Sequence, residues 1–116
     1  MKILVVDDDL HIQRLYKEEF EDEGYEVVVA SNGKEAIEMF EKENPDIVTL
    51  DILLPDIDGI RILRQMKEKN PKIPVIMSTA YDYRDDFAVW ASEAYIVKSS
   101  DLEELKSMIK KLLSKQ

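Results

Sequence analysis

The feature that most constrains this chain is an alternation of short, β-branched apolar runs with longer stretches of helical spacing. Ile3–Val6, Val27–Ala30, Ile47–Leu50, Ile73–Met77 and Tyr95–Val97 are each too short for a helix and read as buried strands. Between the first two, Ile12, Leu15, Tyr16, Glu19 and Phe20 recur at helical spacing until Gly24 stops them. Asn32 with Glu35 has the form of a capping box, opening a second helix with Ala36, Ile37 and Phe40 inward and Asn44-Pro45 at its end. Ile60, Leu63 and Met66 predict a third helix that stops before Pro71, and Asp85–Ala91 a short, weakly patterned fourth. Asp101 with Glu104 repeats the box pattern before a last apolar stripe of Leu102, Leu105, Met108, Ile109, Leu112 and Leu113. Parallel strands need crossover connections, and right-handed crossovers place helices on both faces. Five strands alternating with five helices therefore predict an α/β fold, a doubly wound parallel sheet.

Bulk properties narrow the function. With 116 residues, 45% of them hydrophobic, and neither linker nor internal repeat, residues 1–116 are expected to form one domain. A formal net charge of -9 argues against a nucleic-acid surface, because phosphate backbones are bound by clustered Lys and Arg. The absence of cysteine and the single histidine, His11, exclude disulfides, thiolate catalysis and zinc sites of the usual Cys/His kind, and suggest a reducing cytosol. MKILVV runs directly into three aspartates, so it reads as neither signal peptide nor membrane span.

In open sheets of this type, ligands bind beyond the carboxyl ends of the strands. Reading off those ends gives Asp7 and Asp8, Asp51, Thr79 and Lys98, all on one rim. Asp51 at the edge of an apolar sheet either caps the loop that follows it or meets a cation. Three carboxylates gathered together would repel one another unless a hard divalent ion held them. Oxygen donors without Cys or a His cluster favour magnesium or manganese over zinc or copper. The Lys98 ammonium and Thr79 hydroxyl suit the remaining oxygens of a phosphoryl group, and a carboxylate between the two sides could accept that group by in-line attack.

The segments ILVVDDD, PDIVTLDILLPDIDGI, VIMSTAY and AYIVKSSDLEEL together resemble the receiver domain of bacterial two-component response regulators, over the whole chain. The resemblance implies a flavodoxin-like strand order 2-1-3-4-5, with Asp51 as phosphoacceptor and Asp8 as a direct magnesium ligand. It also implies Asp7 as a ligand acting mainly through water and the Leu53 backbone carbonyl as a further ligand. Thr79 then corresponds to the switch hydroxyl, Lys98 to the phosphate-contacting lysine and Tyr95 to the aromatic switch. The implied partner is a sensor histidine kinase or phosphotransfer protein, docked on the first helix and adjoining loops. The implied protein is a cytoplasmic, stand-alone monomer that transfers phosphate only to itself and binds neither DNA nor membrane. Leu53 and Tyr81 occupy positions that tune hydrolysis in that family.

Two departures stand out. Lys98 is followed by Ser99 where the family usually has proline; a cis bond there would cost roughly 3–4 kcal/mol, so a trans bond is predicted. The interval from Thr79 to Lys98 is also short by nearly one helical turn, which abbreviates the fourth helix.

Other readings compete at single positions. Asp9 suits a helix cap better than a ligand, His11 a solvent-facing site, and Trp90 and Phe87 the core of the short helix. PDIDG contains the Asp-x-Asp-Gly of haloacid-dehalogenase-like phosphohydrolases, but it follows a loop rather than ending a strand. An EF-hand fails because position twelve would be Gln65. A receiver that binds partners without phosphorylation is opposed by the full acidic set together with Lys98.

Overall fold

A computed structural model of the chain describes residues 1–51, 54–79, 94–97 and 102–114, with Thr79 and 94–97 placed by their backbone. The layers originate in strand β1 (Lys2–Val6), whose Ile3–Val6 is a continuous apolar run buried on both sides, as a strand inside a parallel sheet must be. Because successive side chains alternate, Ile3 and Val5 enter one core while Leu4 and Val6 enter the other. β1 pairs in parallel with β2 (Glu26–Ala30) and β3 (Ile47–Leu50), β3 with β4 (Val75–Thr79), and β4 with β5 (Ala94–Val97). The sheet order is β2-β1-β3-β4-β5, as the family resemblance implies.

Helices α1 (Leu10–Asp22) and α4 (Glu103–Leu113) cover the Ile3/Val5 face through Tyr16, Phe20, Leu105, Ile109 and Leu113. Helices α2 (Gly33–Glu43) and α3 (Gly59–Lys69) cover the other face through Ala36, Phe40, Ile62, Leu63 and Met66. The short helix expected over 85–91, with Phe87 and Trp90, lies outside the described residues. On the α1/α4 side, Lys106 spans the two helices. It donates to Glu19 at 2.6 Å, and that bond, reinforced by Glu23 and Glu103, raises its pKa so that it stays charged.

Helix ends follow local chemistry. Asp9 caps α1, accepting from the N–H groups of His11 and Ile12. At the other end Gly24 takes φ +94°, donating to the Glu21 carbonyl while Tyr25 donates to that of Phe20. This Schellman pairing needs a left-handed residue, which glycine supplies without strain. The box at α2 is half formed: Asn32 accepts from Glu35 N–H at 2.9 Å, but the Glu35 carboxylate takes the N–H of Ser31.

Beyond starts one residue early in β1, β2 and β5, two boundaries differ from the sequence pattern. β4 begins at Val75 rather than Ile73, because Pro74 has no N–H for the ladder and offers only its carbonyl, to Val48. The N-cap of α4 is Leu102, with no side-chain capping bond, and Asp101 lies outside the described residues.

The loop from β3 to α3 is tied to α2 by Asp56. Its carboxylate accepts from Gly33 N–H at 2.7 Å, Lys34 N–H at 3.1 Å and Ile57 N–H at 2.9 Å. The contact is close: a Cβ on Gly33 would lie 2.9 Å from the Ile57 Cβ. The Gly33 hydrogen bond, followed by that of Lys34, holds the Asp56 carboxyl below its ordinary 3.8.

A carboxyl depressed in the folded state adds stability that is complete above its unfolded pKa and disappears as pH falls through the folded one. Asp56→Ala should therefore unfold at lower urea than the wild type, by a constant margin from neutral pH down to about 5. The margin should shrink once pH drops below 3.8. Urea titrations at several pH values test this; a pH-independent margin would show that the charge is irrelevant. A second expectation concerns Thr49, 1% exposed between Val5 and Ile76, whose hydroxyl finds no hydrogen-bond partner among the described residues. Thr49→Val should raise stability by about 1 kcal/mol by removing an unsatisfied buried hydroxyl. The readout is a higher urea midpoint at unchanged slope.

Candidate functional site

The β1 ladder continues one residue beyond the strands: Asp7 N–H donates to the Ala30 carbonyl and Asp51 N–H to that of Val6, both at 3.0 Å. Two carboxylates thus leave neighbouring strands at the same height. With Asp8, the next residue, they form a cluster in which one oxygen of each side chain lies within 4.8 Å of the others. Asp7 and Asp51 are buried, 2% and 6% exposed, whereas Asp8 faces solvent. Such a group is repulsive by itself and suits a hard divalent cation: its donors are all oxygen, and His11 is exposed on α1.

The Asp7 carboxylate is oriented from its own loop, since Oδ1 accepts from Asp9 N–H at 2.9 Å. Its backbone is held as well. Gln13, on α1, donates from Nε2 to the Asp7 carbonyl at 2.5 Å and to Ser31 Oγ at 2.8 Å. Beneath the rim, the Tyr16 hydroxyl and Ser78 Oγ are hydrogen-bonded at 3.2 Å, joining α1 to β4 next to Thr79.

Of the remaining residues singled out by sequence, Thr79 ends β4 beside Val97, and Tyr95 lies on β5 beside Met77. Lys98, its bond to Ser99, Leu53 and Tyr81 lie outside the described residues. Both aspartates of PDIDG are accounted for structurally, Asp56 on α2 and Asp58 as N-cap of α3, accepting from Ile60 N–H at 2.8 Å. They are not part of the acidic cluster.

Sequence reasoning missed Gln13, Tyr16–Ser78 and the role of Asp56. A signal existed for the first. The buried stripe of α1 is Gln13, Tyr16 and Phe20, with Ile12, Leu15 and Glu19 only half buried. A polar residue in register with Tyr16 and Phe20 marks a buried amide that must have partners.

The family model described as "Response regulator receiver domain" matches residues 3–110. Sporulation initiation phosphotransferase F of Bacillus subtilis is 39% identical over 115 residues, covering 97% of this chain and 93% of that protein. The Bacillus subtilis transcriptional regulatory protein PhoP is 36% identical, and there the chain spans only 48% of the relative's length. Among solved structures, response regulator protein TrrA of Thermotoga maritima in complex with Mg2+-BeF superposes with a TM-score of 0.92 at 45% identity. It covers 96% of this chain and 97% of its own. TrrA in complex with the histidine kinase ThkA gives a TM-score of 0.91 at 45% identity, covering 97% of each chain.

Proposed function

Because the chain belongs to the response regulator receiver domain family, we propose that it accepts a phosphoryl group on Asp51 from a phosphohistidine of a sensor histidine kinase or phosphotransfer protein, in a magnesium-dependent reaction. The observation that carries this reading is the meeting of Asp7, Asp8 and Asp51 at one rim of a 2-1-3-4-5 parallel sheet. It is supported by TrrA, which has been solved both with Mg2+-BeF and with a histidine kinase.

On this reading, an oxygen of the Asp51 carboxylate attacks phosphorus as the phosphorus–nitrogen bond of the donor breaks. The electron pair of that bond returns to the imidazole nitrogen, which takes up a proton, and an acyl phosphate is left on Asp51. Asp51 is largely buried, and the ladder bond from its N–H to Val6 fixes the backbone from which its carboxylate projects. Asp7, Asp8, Asp51 and the Leu53 carbonyl would hold magnesium, which when bound offsets charge on the phosphoryl oxygens. Lys98 neutralises another of these oxygens and Thr79 donates a hydrogen bond to it. Thr79 and Tyr95, on paired strands, then carry the change toward a downstream partner.

The protein on this reading is a cytoplasmic, monomeric signalling domain whose only chemistry is on itself: phosphorylation and autodephosphorylation. No described helix is long and apolar enough to cross a membrane. A net charge of -9 is consistent with a partner other than nucleic acid.

Incubation with a small-molecule phosphodonor and magnesium should add one phosphoryl group, detected by intact-protein mass spectrometry, and Asp51→Ala or EDTA should abolish it. Modification that survives Asp51→Ala would refute the assignment. Magnesium alone should also raise the melting temperature, since it binds only the folded cluster. At a hundredfold excess over Kd the gain is about 2.7 kcal/mol, a rise on the order of 10 °C for a domain of this size. An unchanged melting curve across a magnesium titration would remove the metal site.

A further inference from the structure

We infer that Gln13 is a positioning residue for the cation site, holding the peptide between Asp7 and Asp8 in the orientation from which both carboxylates reach Asp51. The inference rests on reading that cluster as a magnesium site. The carbonyl that Gln13 grips at 2.5 Å belongs to the bond joining the first two acidic residues of the cluster. Rotation of this peptide would swing the Cα–Cβ directions of Asp7 and Asp8 against each other. Asp7 has a second restraint, Asp9 N–H on Oδ1. Asp8 is exposed, and its backbone shares the peptide that Gln13 holds.

The environment of Gln13 argues for this role over simple packing. It is 6% exposed in the same buried stripe as Tyr16 and Phe20, where an apolar side chain would fill the space without an amide to desolvate. Both protons of its Nε2 are matched, one by the Asp7 carbonyl and one by Ser31 Oγ in the loop after β2. The amide therefore braces the β1–α1 loop against the β2–α2 loop. Groups one shell out from a metal typically change affinity ten- to a hundredfold, roughly, when they are removed. Gln13 would act in this way through the backbone of a ligand pair.

A brace and a packing residue differ in what they do to metal preference. Magnesium demands near-octahedral geometry at short distance, whereas calcium tolerates irregular ligands, so loosening the Asp7–Asp8 peptide should penalise magnesium more. The experiment is calorimetric titration of magnesium and then calcium into the full chain. It compares wild type, Gln13→Met and Ser31→Ala, with melting in EDTA recorded for each. Gln13→Met is expected to weaken magnesium about tenfold and calcium by clearly less, beyond any change in metal-free melting. Ser31→Ala, which removes only the outer anchor, should move the same ratio by a smaller factor and decides the matter if Gln13→Met does not fold. Magnesium affinity indistinguishable from wild type in the folded variants, or equal losses for both metals, overturns the inference. Failure of the wild type to bind magnesium would instead sink the metal reading beneath it.

Discussion

The structure depends on the register of β1 against its two neighbours. Val6 is paired with both Ala30 and Leu50, and the next rung sets Asp7 and Asp51 side by side. A slip of one residue would turn Asp51 toward the opposite face, because side chains alternate with a period of two. What prevents the slip is apolar: Ile47, Val48 and Leu50 are fully buried, split between two cores, and would exchange faces with it. The carboxylates do not attract one another, since like charges repel. Packing brings them together, and on the proposed function a cation would give the meeting a use.

That division explains what could be read from the chain. Strands and their polar ends are local signals, so β1 to β3, and with them Asp7, Asp8 and Asp51, were visible in the sequence. The parallel order followed from the alternation and the resemblance. β4 starts later than its apolar pattern predicts because Pro74 lacks the N–H that the ladder needs. The hydrogen bonds that stiffen the rim were not visible. Tyr16 meets Ser78 across 62 positions and Asp56 meets Gly33 across 23, and no short-range pattern encodes such pairs. They arise from tertiary approach, as when Gly33 lets the β3–α3 loop close against α2.

Aspartates of identical intrinsic chemistry take two different parts here, and the backbone decides which. Asp9, Asp56 and Asp58 each face helix-terminal N–H groups, whose partial positive charge satisfies them where they stand. Asp7, Asp8 and Asp51 face one another at strand ends. The two sets are linked, because Asp9 belongs to the loop that carries Asp7 and Asp8, while Asp56 and Asp58 belong to the loop that follows Asp51. Capped at their far ends, both loops are held close to the site. A cluster of like charges on slack loops would relax apart. With flanking caps on both loops and the Gln13 amide on the Asp7 carbonyl, this one keeps one oxygen of each carboxylate within 4.8 Å of the others.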